Sequence, residues 1–311
     1  RQMCIRDSIK CGGCDAMKKH ITFKGTTGFT VRVKRTWLEF RRNRIGILGL
    51  FISLFFVFVA LFAPLIAPYS PADIYVGTPL SPPSKEFPLG TDELGRCILS
   101  LIIYGSRISL LVGVIAALIN ISIGTIIGLI CGYYRNILSD ALMRVTDAFI
   151  MMPSLALMVV LAAILGPNIY TIILAIGITT WPTTARTVMS QVLSIKERAY
   201  VVAVRAAGGS DFYIIFHCIL LNVLPIVFTN MILSIATAVL YEAGLSFLGL
   251  GDPTRISWGI ILYYANTSGA IISGAWWYVI PPGICIILLV VAFTFVSHGL
   301  DEILNPRLRR R

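Results

Sequence analysis

Six long apolar runs in this sequence limit what it can fold into. A helix rises about 1.5 Å per residue, so about 20 apolar residues cross the roughly 30 Å hydrocarbon core of a membrane. The runs are too long and too continuously apolar for the alternating strands of a membrane β-barrel, and a helix satisfies its own backbone groups in lipid. The sequence therefore predicts an all-α membrane protein with six transmembrane helices, at residues 45–67, 108–133, 141–165, 169–189, 220–248 and 277–296.

The charged residues lie between these runs and indicate how the chain is oriented. Hydrophobic residues make up 57% of the 311 residues and charged residues only 13%, which excludes an ordinary soluble domain. Lys and Arg concentrate in the cytoplasmic loops of membrane proteins. Both termini are predicted to be cytoplasmic, because 22 of the 26 Lys and Arg residues fall on their side of the spans. This cytoplasmic excess of Lys and Arg explains the net charge of +11, so the charge does not indicate a nucleic-acid partner.

The same pattern divides the chain into segments. We interpret residues 1–16 as a non-native leader, because the opening RQMCIRDS resembles translated sequencing-adapter read-through, and we place the natural start at Met17. Residues 31–44 are either an interfacial helix or a positive stop before the first span. The predicted segments are a cytoplasmic basic segment at 17–44, the first transmembrane helix at 45–67, an external loop at 68–107, a core of five helices at 108–298 with a cytoplasmic loop at 190–218, and a cytoplasmic basic tail at 299–311.

The sequence contains no group of residues that indicates catalysis or metal binding. It lacks the G-x-x-x-x-G-K-[ST] pattern of a P-loop, so we expect no ATP site. Its three histidines, His20, His217 and His298, are scattered, and the C-x-x-C at Cys11 and Cys14 has no second pair of ligands at a suitable spacing. We therefore predict a protein that is not an enzyme and that binds no cofactor or metal itself.

The predicted cytoplasmic loop between the fourth and fifth spans has a pattern of its own. Residues 196–207 lack Pro and Gly and are rich in Ala, which predicts a short helix that stops at Gly208 and Gly209. Asp211, which follows Ser210, is predicted to start a second short helix. Two helices joined by a glycine turn form a rigid surface for a soluble partner, whereas the alternative is an ordinary linker.

Several blocks of this sequence resemble one known family. The blocks are FPLGTDELGR, YGSRISLLVG, YVVAVRAAGGSDFYIIF, SFLGLG and NPRLR, in that order between about residues 37 and 309. They resemble the permease subunits of binding-protein-dependent ABC importers, in the dipeptide, oligopeptide and nickel branch, and specifically the second permease of the pair. The resemblance implies the bundle of a type I ABC importer permease (MetI-like).

In that family the cytoplasmic loop is the EAA motif, whose helix docks on the ATPase. Val202 stands where the family usually has Glu, Val204 replaces an Ala and Leu221 replaces a later Pro, which puts one polar contact in doubt. The docking helix itself is retained in this assignment. The residues assigned to ATPase coupling by the resemblance are Glu197, Tyr200, Ala203, Arg205, Ala206, Gly208 and Asp211.

Polar residues at helical spacing mark candidates for a path through the membrane. In the third span Asp147, Met151 and Ser154 are predicted to share one face, and Pro153 to bend the helix. In the fifth span the candidates are Asn230, Ser234, Thr237 and Tyr241, with Glu242 beside them. Hydrogen bonding between helices is the competing interpretation. A face of small residues in the second span, which includes Asn120, is assigned to helix packing.

The resemblance also implies partners and a mechanism. The partners are a second permease, two cytoplasmic ABC ATPases that hydrolyse ATP with Mg, an extracytoplasmic binding protein and membrane lipid, with no nucleic acid. The external loop at 68–107 is expected to contact the binding protein or the second permease. The expected mechanism is alternating access in the plasma (inner) membrane of a prokaryote. The expected solute is a dipeptide or oligopeptide, and the alternative is nickel or another small solute. The alternative class of protein is a self-contained channel or secondary transporter.

Overall fold

The computed structural model describes residues 40–41, 43–134 and 136–304. The predictions for the leader, for most of the basic N-terminal segment and for the tail beyond residue 304 lie outside this part of the chain. The helices below belong to one compact unit, Arg44–Arg311.

The described part of this unit is all-α, which confirms the predicted fold class. Helix α9 (Leu221–Leu245) continues α8 (Asp211–Tyr213) through a π-helical segment, Ile214–Leu220, and ends in a second one, Ser246–Leu250. The helices are α1 (Arg44–Leu61), α2 (Ala63–Ile66), α3 (Ile98–Tyr133), α4 (Ile137–Met151), α5 (Ser154–Leu165), α6 (Ile169–Lys196), α7 (Ala199–Ala206), α8 (Asp211–Tyr213), α9 (Leu221–Leu245), α10 (Trp258–Thr267) and α11 (Trp276–Leu304).

Four or five membrane spans follow from helix length and composition in the described residues. Arg44–Leu61, Ile98–Tyr133, Asp211–Leu250 and Trp276–Ile303 are each long and apolar enough, and α4 with α5 adds a fifth if the bent pair is one span. Helix α6 has 28 residues, but threonines lower its apolarity and it is not among them. The predicted count of six is therefore consistent with the structure but rests, for α6, on the sequence.

The largest departure from the predicted spans is the break between α4 and α5. The two helices meet at 92°, across Met152 and Pro153. Pro153 has no N–H for a helical hydrogen bond, and its ring moves the preceding residue out of the helical region, so Met152 is extended with ψ 137°. The sequence predicts a bend at Pro153, and the structure shows a full break.

Helix α3 is the central element of the unit. It begins at Ile98, ten residues before the predicted start, because the apolar segment that precedes Arg107 continues the same helix. Gly124 and Gly132 bring α3 against α6 so closely that an added Cβ would lie 2.6 Å from side-chain atoms of Thr184 and Val192. The predicted packing role of this small-residue face is therefore seen in the contact between α3 and α6.

Candidate functional site

A cavity of about 380 Å³ lies beside the break between α4 and α5. Helices α6 and α9 form most of its wall, and α3 contributes Asn120. Hydroxyl and amide side chains alternate with a few apolar ones, such as Phe149, Met152 and Leu233. A cavity of this size and mixed lining is of the kind that accepts small molecules.

Five of the eight path candidates from the sequence line this cavity. They are Ser154, Asn230, Ser234, Thr237 and Tyr241. The hydroxyl oxygens of Ser154 and Tyr241 are 3.2 Å apart, so α5 and α9 also share a hydrogen bond there. The two interpretations of the polar stripe, a cavity wall and a contact between helices, are therefore both present in one place.

Asp147 and Met151 do not share a face with Ser154, because the helix that the prediction assumed is broken at Pro153. Met151 is 86% exposed and does not line the cavity. Asp147 Oδ1 lies 3.1 Å from Nη2 of Arg186 on α6, in an ion pair whose side chains are 46% and 59% exposed. Both residues therefore stand outside the cavity wall.

Glu242 belongs to a separate polar cluster, the Glu242 site, which consists of Glu242, Ser109 and Ser246. Glu242 is 1% exposed. Ser109 Oγ donates to Oε2 at 3.1 Å and Ser246 Oγ donates to Oε1 at 2.8 Å. The backbone N–H of Trp258 donates to Ser109 Oγ at 3.3 Å, so the site joins α3, α9 and α10. One residue further along a helix turns by about 100°, which places Glu242 away from the cavity that Tyr241 lines.

Sequence reasoning missed the α6 wall and the role of Asn120. Thr184 Oγ1 donates to Asn120 Oδ1 at 2.7 Å, and Asn120 Nδ2 donates to Ser234 Oγ at 3.3 Å, which links α6, α3 and α9. The signal was in the sequence, since threonines recur at helical spacing in this apolar run. They are Thr179, Thr180, Thr183, Thr184 and Thr187.

The coupling residues lie at the far end of α6, where the chain turns twice. Helix α7 begins at Ala199 and not at residue 196, because α6 continues to Lys196 and Arg198 is extended. Lys196 is buried, and its Nζ donates to the carbonyl oxygen of Gly132 at 3.0 Å. Gly208 has a left-handed φ of +83°, and Ser210 Oγ then accepts the N–H of Tyr213 at 3.3 Å.

Two of the predicted coupling residues contact the last residue of α3. The Tyr133 hydroxyl donates to Asp211 Oδ1 at 2.5 Å. The guanidinium carbon of Arg205 lies 5.5 Å from the centre of the Tyr133 ring, within the range of a cation–π contact. Tyr133 is 9% exposed. Helices α7 and α8 are therefore held to α3 through one buried aromatic side chain, and we call this contact the Tyr133 clamp (Tyr133, Arg205 and Asp211).

The remaining coupling residues lie on or next to α7. Asn222 Nδ2 donates to the Tyr200 hydroxyl at 3.1 Å, and that hydroxyl donates to the Cys218 carbonyl oxygen at 3.3 Å. Burial raises the pKa of Tyr200, so the phenol keeps the proton that it donates. Ala203 and Ala206 are exposed, and Glu197 directly follows α6 as its C-cap.

Comparisons with known proteins identify the family of this chain. Residues 124–310 match the profile of the binding-protein-dependent transport system inner membrane component, and residues 32–83 match the N-terminal TM domain of oligopeptide transport permease C. The chain belongs to this family of permeases. The resemblance found in the sequence is thereby confirmed.

Curated relatives of this permease cover most of its length. A di/tripeptide transport system permease of Pseudomonas aeruginosa is 38% identical over 284 residues, which are 89% of this chain and 93% of the relative. A dipeptide transport system permease of Bacillus subtilis is 38% identical over 88% of this chain and 85% of its own length. An oligopeptide transport system permease of the same species is 35% identical over 89% and 90%.

Helix α7 of this permease presents an apolar outer surface. Its one fully buried side chain is Val201, at 0% exposure, which faces the bundle. Val202 and Tyr200 are 47% and 41% exposed, and Phe212 of α8 is 68% exposed. Large exposed apolar side chains next to small ones form a surface that a protein partner can cover.

The segment between α2 and α3 contains the family block at residues 87–96. Asp92 is 0% exposed and accepts hydrogen bonds from the backbone N–H groups of Leu94 and Arg96 and from Arg96 Nε. The Tyr278 hydroxyl of α11 donates to Glu93 Oε2 at 2.5 Å. Asp92 therefore stabilises the segment itself, and Glu93 holds the segment to α11. No group of three or more His, Cys, Asp or Glu that could hold a metal occurs in the described residues.

Proposed function

We propose that this permease forms half of the translocation path of an ATP-driven importer for dipeptides or oligopeptides. The proposal rests on one observation: five of the path candidates from the sequence line the same neutral cavity as the threonines of α6. The names of the relatives support the choice of solute, since they describe di/tripeptide, dipeptide and oligopeptide transport.

The other half of the path comes from a second permease. Thr237 and Thr183 of the cavity wall are exposed, and the Arg186–Asp147 pair lies half-exposed beside them. Charged and hydrogen-bonding side chains at membrane depth are costly when they face lipid, and they normally face other helices or a water-filled space. A second polar membrane subunit against this side shields them and completes the path.

The energy comes from cytoplasmic ATPases that dock on α7. The exposed apolar surface around Tyr200, Val202 and Phe212 is the docking surface, and the Tyr133 clamp transmits its movement to α3. From Tyr133 to Asn120, α3 rises about 20 Å as one helix, and Asn120 bonds to both α6 and α9 at the cavity. Movement of α7 is thus carried to the cavity wall by one continuous element.

The rest of the assembly follows from the same proposal. Two ABC ATPases hydrolyse ATP with Mg, and this chain supplies neither a cofactor site nor catalysis. An extracytoplasmic binding protein delivers the solute at the outer segment, 68–97. Both termini lie in the cytoplasm, and the protein spans the plasma (inner) membrane of a prokaryote. The path opens to one side of the membrane and then to the other, by alternating access.

Reconstitution tests this function directly. The permease is placed in liposomes with its second permease, ATPases and binding protein, and uptake of labelled dialanine, a pentapeptide and Ni²⁺ is measured with and without ATP. We expect ATP-dependent uptake of peptide. Uptake of Ni²⁺ alone would assign the nickel function, and uptake of any solute by this chain without the ATPases would assign a channel or secondary transporter.

A further inference from the structure

All six threonines that line the cavity donate their hydroxyl hydrogen to the protein. On α6, Thr179 donates to the carbonyl oxygen of Ala175, and on α9 Thr237 donates to that of Ser234 at 3.1 Å. Thr184 donates to Asn120 Oδ1 at 2.7 Å. The remaining three donate to backbone carbonyl oxygens within α6. Thr180 donates to that of Ile176 at 2.8 Å, Thr183 to that of Thr180 at 2.9 Å and Thr187 to that of Thr183 at 2.9 Å.

A hydroxyl group has one hydrogen and two lone pairs. Once the hydrogen is used inside the helix, the oxygen can only accept a hydrogen bond from a solute. A back-bonded threonine on an ordinary helix surface has no consequence for function. Here six such oxygens border the same space, so the wall is rich in acceptors.

The other polar groups do not balance this excess. Asn120 uses one amide hydrogen on Ser234, and its oxygen accepts from Thr184. Ser154 and Tyr241 share one hydrogen between them. Among the described residues that line the cavity there is no Lys, Arg, Asp or Glu, and the nearby Arg186 is paired with Asp147. Donors to a solute are thus limited to Asn230, Ser234, the second amide hydrogen of Asn120 and one of the Ser154–Tyr241 hydroxyls.

We propose that Thr180, Thr183 and Thr187 form an acceptor track that binds N–H groups of the solute in preference to carboxylates. These residues lie on one side of α6 and span roughly 10 Å along its axis, about the length of three extended peptide residues. A peptide offers an α-ammonium group and amide N–H groups to such a track, and its carboxylate finds few donors. The inference rests on the proposed function and adds the orientation and chemistry of what the cavity accepts.

The test follows the reactivity of a single cysteine in the cavity. Leu233→Cys is used in the whole transporter without its binding protein, so that the binding protein adds no selectivity of its own. The rate of labelling by N-ethylmaleimide, corrected for the chain without this cysteine, is measured with glycylglycinamide, which is cationic, and with N-acetylglycylglycinate, which is anionic. We expect glycylglycinamide to slow labelling about threefold more than the anion does, as one or two hydrogen bonds would.

Variants separate the acceptor track from general electrostatic attraction. Thr183→Val and Thr187→Val remove an acceptor at constant size and should abolish the difference between the two compounds, whereas Thr183→Ser should retain it. The matched control is Thr294→Val, because Thr294 makes the same local bond, to the Val290 carbonyl oxygen, outside the cavity. This control should also retain the difference.

Two kinds of negative result have different meanings. Equal slowing by both compounds, stronger slowing by the anion, or a difference that persists in Thr183→Val and Thr187→Val overturns the acceptor track. If Leu233→Cys is never labelled, in any nucleotide state, the cavity is not a water-accessible path, and the proposed function fails with it.

Discussion

Helix α9 carries two polar sites that differ in their chemical groups and in exposure. The Glu242 site has a carboxyl group at 1% exposure with serine hydroxyls on both oxygens, and it joins three helices. The cavity face, from Asn230 to Tyr241, has hydroxyl and amide groups and is open. A carboxyl group in a low-dielectric interior requires fixed hydrogen-bond partners, whereas hydroxyls at an open cavity can bind a solute weakly and release it. The acidic group thus lies where the bundle is fixed, and the hydroxyl and amide groups lie where solute is proposed to pass.

The largest expected effect is on stability at the Glu242 site. Glu242→Ala leaves the hydroxyls of Ser109 and Ser246 without their acceptor and opens a void, so we expect a loss of about 3 kcal/mol in the free energy of unfolding. Thermal unfolding of the detergent-purified protein measures it. Glu242→Gln, which keeps one carbonyl oxygen, should lose less. If Glu242→Ala is as stable as the unaltered chain, the site is not a fixed junction.

Access to water should differ nearly as much between the two sites. Ser234→Cys lies in the cavity and Ser109→Cys in the Glu242 site, where Ser109 is 0% exposed. A membrane-impermeant thiol reagent should label the first at least about 30-fold faster, since burial excludes the reagent. Similar rates at both positions would contradict the distinction between an open and a closed site. Tyr241→Cys should follow Ser234→Cys.

A smaller effect is expected where the cavity is connected to the coupling loop. Tyr133→Phe removes the hydrogen bond to Asp211, which is charge-assisted and worth about 1.5 kcal/mol, so peptide uptake should fall about tenfold. ATP hydrolysis by the assembled transporter should change much less, because the ATPases keep their docking surface. The control is Tyr134→Phe, which changes the neighbouring tyrosine outside the clamp. Equal uptake by Tyr133→Phe and the unaltered chain would exclude transmission through Tyr133.

The smallest effect is expected for the stability of cavity-wall variants. Thr183 is exposed and its hydroxyl bonds only within its own helix, so Thr183→Val should change the free energy of unfolding by less than about 0.5 kcal/mol. Thermal unfolding of Thr183→Val and Glu242→Ala in the same experiment compares the two losses of stability directly. A loss comparable to that of Glu242→Ala would mean that the cavity wall is part of the fixed framework.

Much of the fold could be predicted from the sequence, because membrane spans are local. An apolar run, Pro153 and the glycines that end α7 each determine the structure of only the few residues around them. The polar stripe of α9 was also predicted, since four side chains at helical spacing remain on one face as long as the helix is continuous. The same argument failed for Asp147, Met151 and Ser154, because it assumed that the third span continues past Pro153.

Other features depend on which helices meet. Helical spacing placed Glu242 beside the stripe, but only the packing of α3 and α10 brings Ser109 and Trp258 to that side and makes it a buried junction. Asn120 was assigned to packing by its small neighbours, and its hydrogen bonds to Thr184 and Ser234 come from two other helices. Neither set of partners is near in sequence, so no spacing rule could find them.

The sequence by itself determined that this chain is a helical membrane protein and, through its family blocks, a permease, because apolar length and local turns are properties of short segments. The tertiary structure decided which polar residues line a cavity, which are buried away from it and which contact Tyr133. Those outcomes depend on the break at Pro153 and on the close approach of α3 to α6, which bring together side chains that are more than 60 residues apart in sequence. Hydrogen bonds over such separations are set by helix packing.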